Sequence, residues 1–308
     1  MASITRLAND LILIDTHYIN TPEAIGVYLL LGDQPALIES GPALTLDHVI
    51  DGVRAAGLDP GNLRRLAVTH IHLDHAGGAG TLVHRFPHLQ VYVHPVGAPH
   101  LIDPSRLLAS AARLYGDHLH RLFGEVLPVP ADRVHILQDK EMVQLGSRTL
   151  LALDTPGHAR HHHAYLDEST GDLFTGDVAG VSLPGSRYVR APSPPPELDI
   201  PAWEQSIRKI LARHPKRLLL THYGPHAWVE DLFNQLRERL HQGEMAVRDA
   251  IRQGLDEPAI TERMRAEAMG EIARRDGPEA HARYEVIMPI RQSVLGLIRY
   301  VEKVGIKG

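Results

Sequence analysis

The chain has 308 residues, of which 44% are hydrophobic and 22% charged, enough for one large domain or a domain with an appendage and a sizeable core. A formal charge of −5 and the lack of any long basic run leave no footprint for nucleic acid or an anionic membrane surface, so the expected partner is a small-molecule substrate. There is no cysteine, which excludes disulfides and thiolate ligands, and no apolar run has the form of a signal peptide or membrane span; a cytoplasmic location is expected.

Strand-like runs open the chain at 11–15 (LILID), 25–32 (IGVYLLLG) and 36–40 (ALIES), each rich in leucine or β-branched residues and bounded by Gly, Pro, Asn or Asp. Apolar spacing predicts a helix over 45–59, then a strand over 63–72 that runs into THIHLDHAGG at 69–78. That cluster therefore stands at the carboxyl end of a strand, where α/β folds commonly keep their ligands. The glycines at 77, 78 and 80 are expected to let the chain turn tightly behind it. A strand at 88–95 and one amphipathic helix over 105–124 follow. Short strands at 133–138, 142–146, 148–158 and 162–177 come next, the last containing the hairpin signal DESTGD. The proline-rich stretch 190–203 reads as a loop or spacer, 200–215 as helix, and 216–226 as a strand followed by a loop. From about 227 the pattern is helical, with breaks near 252–258 and 274–280.

Histidine is over-represented, with 21 residues. His84, His88, His94, His118, His120 and His281 are scattered and read as surface or half-buried polar residues. HIHLDH at 70–75 and GHARHHH at 157–163 do not fit that reading. In an extended segment His70 and His72 point to one side and can grasp one cation, while Asp74 and His75, beyond the turn, can face a second. Later strand ends offer His158, Asp177 and His222, and a carboxylate such as Asp177 can bridge two cations. For His161, His162 and His163 the expectation is one hydrogen-bonded histidine in the core and the others near the surface, rather than extra ligands.

With H-x-H-x-D-H followed in order by a histidine, an aspartate and a last histidine, the sequence resembles the metallo-β-lactamase superfamily over about residues 10–225. The resemblance implies a four-layered αβ/βα sandwich for 1–225, with 226–308 as a helical extension packing on it. It implies two divalent metal ions: His70, His72 and His158 on one, Asp74, His75 and His222 on the other, and Asp177 bridging. Zinc is the first choice, and iron or manganese accept the same ligands. A hydroxide between the metals would attack an ester, thioester or lactone carbonyl, as in glyoxalase II-like and lactonase-like members, with Asp74 also orienting the nucleophile. Tyr223 or Tyr188 are candidates to bind the oxyanion, against a plain packing role.

Two departures stand out. Ala159 follows His158 where the family often has a small hydroxyl residue, and Glu39 replaces the aspartate of a LIDTG-like stretch. The alternatives are a phosphodiesterase or phosphotriesterase on the same site and an iron-dependent persulfide dioxygenase-like oxidoreductase. The apolar faces of the C-terminal helices must be covered by the sandwich or by a second subunit in a homodimer, and a cap over the substrate pocket is the sharper expectation.

Overall fold

The computed structural model describes residues 3–305. Strands β1 (Ile4–Ala8), β2 (Leu11–Asp15), β3 (Gly26–Leu30) and β4 (Ala36–Ile38) form an antiparallel meander. Helix α1 (Leu46–Ala55) crosses to β5 (Arg65–Ala67), which pairs parallel to β4. Helices α2 (Leu73–Ala76) and α3 (Ala79–Arg85) precede β6 (Gln90–Val93). Helices α4 (Ala98–Ile102), α5 (Ser105–Tyr115) and α6 (Leu119–Phe123) lead to β7 (Val134–Ile136), and a seven-stranded sheet results in sequence order.

The second sheet has six strands: β8 (Met142–Leu145), β9 (Arg148–Asp154), β10 (His163–Asp167), β11 (Asp172–Gly176), then, after helix α7 (Ile200–Leu211), β12 (Arg217–Leu220) and β13 (Gly224–His226). Four helices complete the chain: α8 (Val229–Arg252), α9 (Glu257–Asp276), α10 (Pro278–Ile287) and α11 (Ile290–Val304).

Three buried clusters make this the expected αβ/βα sandwich. Leu13, Tyr28, Leu150, Tyr165 and Phe174 pack between the sheets. Ile14, Val49, Leu66 and Leu82 fill the space between the first sheet and α1–α3. Leu153, Trp203, Leu218, Phe233, Leu236 and Val294 join the second sheet to α7, α8 and α11. Strands buried on both faces explain why 11–15 and 25–32 read as continuous apolar runs.

The structure adds and corrects elements. β1 is a half-exposed edge strand without an alternating signature. β13 was expected as loop. The single helix expected over 105–124 is broken, because Gly116 adopts a left-handed φ of 53°. The C-terminal helical pattern has a further break at Pro289, which has no N–H to continue α10. The strand before the histidine cluster ends at Ala67, so His70 and His72 lie in irregular chain. Behind the cluster Gly77 and Gly78 do make the turn, between α2 and α3, with right-handed φ values. Gly80 serves close packing, since a Cβ there would meet the Leu127 carbonyl oxygen at 2.0 Å.

Candidate metal centre and its cavity

Chain segments leaving the carboxyl ends of strands in both sheets converge at one edge. His70, His72, Asp74 and His75 follow β5, His158 follows β9, Asp177 follows β11 and His222 follows β12. Their donor atoms form two groups, His70, His72, His158 and Asp177 in one and Asp74, His75 and His222 in the other. His72 Nδ1 lies 2.9 Å from both His70 Nε2 and His158 Nε2, and His158 Nε2 is 3.3 Å from Asp177 Oδ2. In the second group His222 Nε2 is 3.3 Å from His75 Nε2 and 3.4 Å from Asp74 Oδ2. Asp177 Oδ1 stands 3.3 Å from His75 Nε2 and 3.4 Å from His222 Nε2, so its two oxygens face the two groups separately.

The far side of each ring fixes what the near side presents. His158 Nδ1 donates to the Pro192 carbonyl at 2.8 Å, and His222 Nδ1 to that of Ala24 at 2.9 Å. His75 Nδ1 donates to Glu39 Oε1 at 3.0 Å. Thr69 Oγ1 donates to the same Glu39 oxygen at 2.5 Å and is left to accept from His70 Nδ1 at 3.0 Å. Each of these four rings therefore turns an Nε2 lone pair inward. A proton on His72 Nδ1 would serve one of its two neighbours, not both. Asp177 Oδ1 is buried without a hydrogen-bond partner among the described residues. Packed lone pairs of this kind repel one another and are relieved by cations, and an all-N/O donor set suits zinc, iron or manganese.

Burial, reinforced by neighbouring imidazoles, pushes His70 and His72 well below the usual histidine range, which keeps them neutral and ready to ligate. Burial alone would raise the Asp74 carboxyl, but His75 and His222 hold it at about 2. For His75 burial is outweighed by Asp177, Asp74 and Glu39, which raise it well above its ordinary value, so without a cation its inward Nε2 lone pair holds a proton that a bound cation would displace.

The GHARHHH stretch departs from expectation, since His161, His162 and His163 are all buried. His162 Nδ1 donates to Thr155 Oγ1 at 2.8 Å, and its Nε2 accepts the Asp177 backbone N–H at 3.1 Å. Gly176 permits this contact: its φ is 50°, and a Cβ there would lie 2.4 Å from Thr69 Oγ1 and 2.7 Å from His162 Nε2. His161 faces the cavity described below. Both nitrogens of His163 lack hydrogen-bond partners among the described residues, and its ring packs 4.5 Å from His94. His94 is no ligand beside it: its Nδ1 accepts from the Val96 N–H, which places its proton on Nε2, directed at Asp154 3.1 Å away.

A cavity of about 700 Å³ opens over the centre, with His72, Asp74, His158 and Asp177 in its floor. Neither expected tyrosine lines it. Tyr223 faces away and packs beside Gly26 and Leu13. Tyr188 is buried under the C-terminal helices with its ring 5.1 Å from Tyr284. Tyr18 takes the position instead. It is 5% exposed, lines the cavity within electrostatic reach of Asp74, and its hydroxyl has no hydrogen-bond partner among the described residues. Burial and Asp74 raise its hydroxyl above the ordinary tyrosine range, so it stays protonated and a donor.

The loop that carries Tyr18 is held under backbone strain. His17, Ile19, Asn20 and Glu23 all have left-handed φ, between 49° and 57°. Buried Asp15 clamps it by accepting the backbone N–H groups of His17 and Glu23, each at 2.9 Å. The available signal was length: ten residues separate two antiparallel neighbours, β2 and β3, where a hairpin needs about two to five.

Fold and site together define a sandwich protein with a candidate cation centre built from histidine and aspartate at one sheet edge. The chain belongs to the metallo-beta-lactamase superfamily, whose family model matches residues 21–222. It is 28% identical over 207 residues, 66% of this chain and 74% of the relative, to a metallo-beta-lactamase fold-containing protein of Sulfurisphaera tokodaii. The solved structure of an archaeal superfamily protein from Sulfolobus tokodaii aligns with a TM-score of 0.63 and 26% identity, covering 76% of this chain and 87% of that one. A family protein from Thermus thermophilus shares the fold with a TM-score of 0.66 and 20% identity over 97% of this chain and 95% of its own. A hydroxyacylglutathione hydrolase of Vibrio cholerae is 28% identical over 117 residues, 38% of this chain and only 33% of that protein.

Proposed function

We propose that the protein is a dinuclear metal-dependent hydrolase acting on an ester, thioester or lactone carbonyl. The carrying observation is the set of inward lone pairs on His70, His75, His158 and His222, each fixed by a partner behind its ring. His70, His72 and His158 would hold one cation, Asp74, His75 and His222 the other, and Asp177 would bridge them through its two oxygens. Bound there, two divalent cations supply hydroxide near neutral pH and polarise the substrate carbonyl.

The chain's own groups do the remaining work. Asp74, 19% exposed toward the cavity, orients the attacking water. Tyr18 donates its free hydroxyl to the oxygen on which negative charge develops. Apolar walls exclude bulk water. The thioesterase direction draws support from the hydroxyacylglutathione hydrolase relative.

Metal analysis of protein purified without chelator tests the reading, comparing wild type with His70→Ala and Asp74→Ala. About two equivalents per chain, lowered by each substitution, together with turnover in an ester, thioester and lactone screen, are expected. A single iron that survives Asp74→Ala, with oxygen consumption on persulfides, overturns it.

A further inference from the structure

The cavity is a cleft between two helical walls. On one side stand Leu107, Leu114 and Tyr115 of α5, a helix with no fully buried residue. On the other stand Ile287, Leu295 and Ile298 of the C-terminal helices. The walls touch where the Tyr115 hydroxyl meets Gln292 Oε1 at 3.4 Å. That contact marks the metal end, since Ser293, next to Gln292, bonds the Ala191 carbonyl and the Ser193 N–H on either side of Pro192, whose carbonyl accepts from His158 Nδ1.

Arg106 lies nine residues from Tyr115 along α5, and Arg299 seven residues from Gln292 along α11, so at ~1.5 Å per residue they stand about 13 Å and 10 Å away along their helices. Both line the cleft, and neither makes a hydrogen bond or ion pair among the described residues. A third arginine, Arg113, lies nearer the metal end. Of the acids in the lining, Asp74 and Asp177 belong to the metal centre, Glu197 is paired with Arg160 at 2.8 Å, and Glu302 stands about one turn beyond Arg299. An apolar run thus leads from the metal centre to unpaired guanidinium groups.

From this juxtaposition we infer that the site takes an extended amphiphilic ester or thioester, whose scissile carbonyl is separated by an apolar stretch from an anion held by Arg106 and Arg299. An apolar chain of about eight to ten carbons spans that length, and the volume suits a ligand that is mostly enclosed. Carboxylate and phosphate share the chemistry that arginine recognises. The anion can sit at the far end of the acyl group or on the leaving thiol.

The inference rests on the hydrolase reading, and kinetics on metal-loaded protein test it. One series runs from butanoyl to decanoyl thioesters of a neutral thiol; a second adds a terminal carboxylate to the longest acyl group; a third keeps octanoyl and places phosphate on the thiol. Wild type is expected to gain at least tenfold in kcat/KM from butanoyl to decanoyl. It should also prefer one anionic series at least tenfold over its uncharged counterpart. In Arg106→Gln/Arg299→Gln, whose exposed positions leave the melting temperature unchanged, that preference falls toward unity through KM. The series that loses it identifies where the anion resides. Equal rates along the chain-length series, or a charge preference that survives the double substitution, overturn the inference. If metal-loaded wild type turns over no ester at all, the hydrolase reading itself fails. The cleft is then judged by calorimetric binding of decanedioate monomethyl ester: binding lost in the double variant supports it, and no binding to wild type overturns it.

Discussion

Tyr18 and Glu39 show how much a single residue can depend on its backbone. Both are set by left-handed chain, Glu39 through its own φ of 69° and Tyr18 through its strained neighbours. Tyr18→Phe removes only the hydroxyl; kcat should fall about 10²–10³-fold, as for loss of one oxyanion donor, with metal content unchanged. Wild-type kcat in this variant would remove Tyr18 from the chemistry. Glu39 accepts from His75, Thr69 and Thr221, and its Oε2 also takes the Thr69 backbone N–H at 3.1 Å. Glu39→Gln keeps the size but surrenders the charge behind His75. Metal affinity, read by competition with a chromophoric chelator, should weaken about 10–100-fold. Thr69, beyond β5, and Thr221, beyond β12, hold this carboxylate from either sheet.

At the level of elements, the site depends on strand ends from two sheets being held in register, and a buried ion network ties those sheets at the opposite edge. Arg148, at the start of β9, bonds Asp10 between β1 and β2 at 2.7 Å and also reaches Asp167 and Asp172. Arg148→Met leaves buried carboxylates short of a partner and should cost about 3 kcal/mol in denaturant unfolding near neutral pH. The hydrogen bond from Arg148 holds the Asp10 carboxyl at about 2, below its ordinary 3.8. Its contribution is therefore complete above about pH 4 and is lost as pH falls toward 2, so the gap between wild type and Arg148→Met should narrow across that window. A gap that widens on acidification would contradict this. These elements differ in how legible they are from sequence. The strands at 11–15 and 36–40 were readable because apolar content set them locally. Strand β13 was not, since Gly224, Pro225 and His226 carry no strand propensity and pair only because β12 offers them an edge.

Across the whole molecule, the C-terminal helices belong to the sandwich's core as well as to the cavity wall. Phe233, Leu236, Val294 and Val301 share one buried cluster with Trp203 and Leu218 of the sandwich. From these helices and the turn between them, Ile287, Met288 and Leu295 line the cavity. Among the described residues, no helix is long and apolar enough to cross a membrane. Because ligands from both sheets meet in the proposed metal centre, its cations should stabilise the entire fold. Chelation is expected to lower the melting temperature by roughly 5–10 °C, reversed by adding zinc; an unchanged transition would show that the centre contributes nothing to stability.

The sequence alone determined the αβ/βα order and the candidate ligand set, His70, His72, Asp74, His75, His158, Asp177 and His222. Metal ligation demands particular side chains at strand ends, and strand ends are local features. The structure decided the rest. That His162 holds the Asp177 backbone, that Tyr18 rather than Tyr188 or Tyr223 faces the cavity, and that α5 and α11 enclose it all depend on contacts between residues far apart in the chain. No local pattern encodes such contacts, because they follow from which faces two packed sheets turn toward each other.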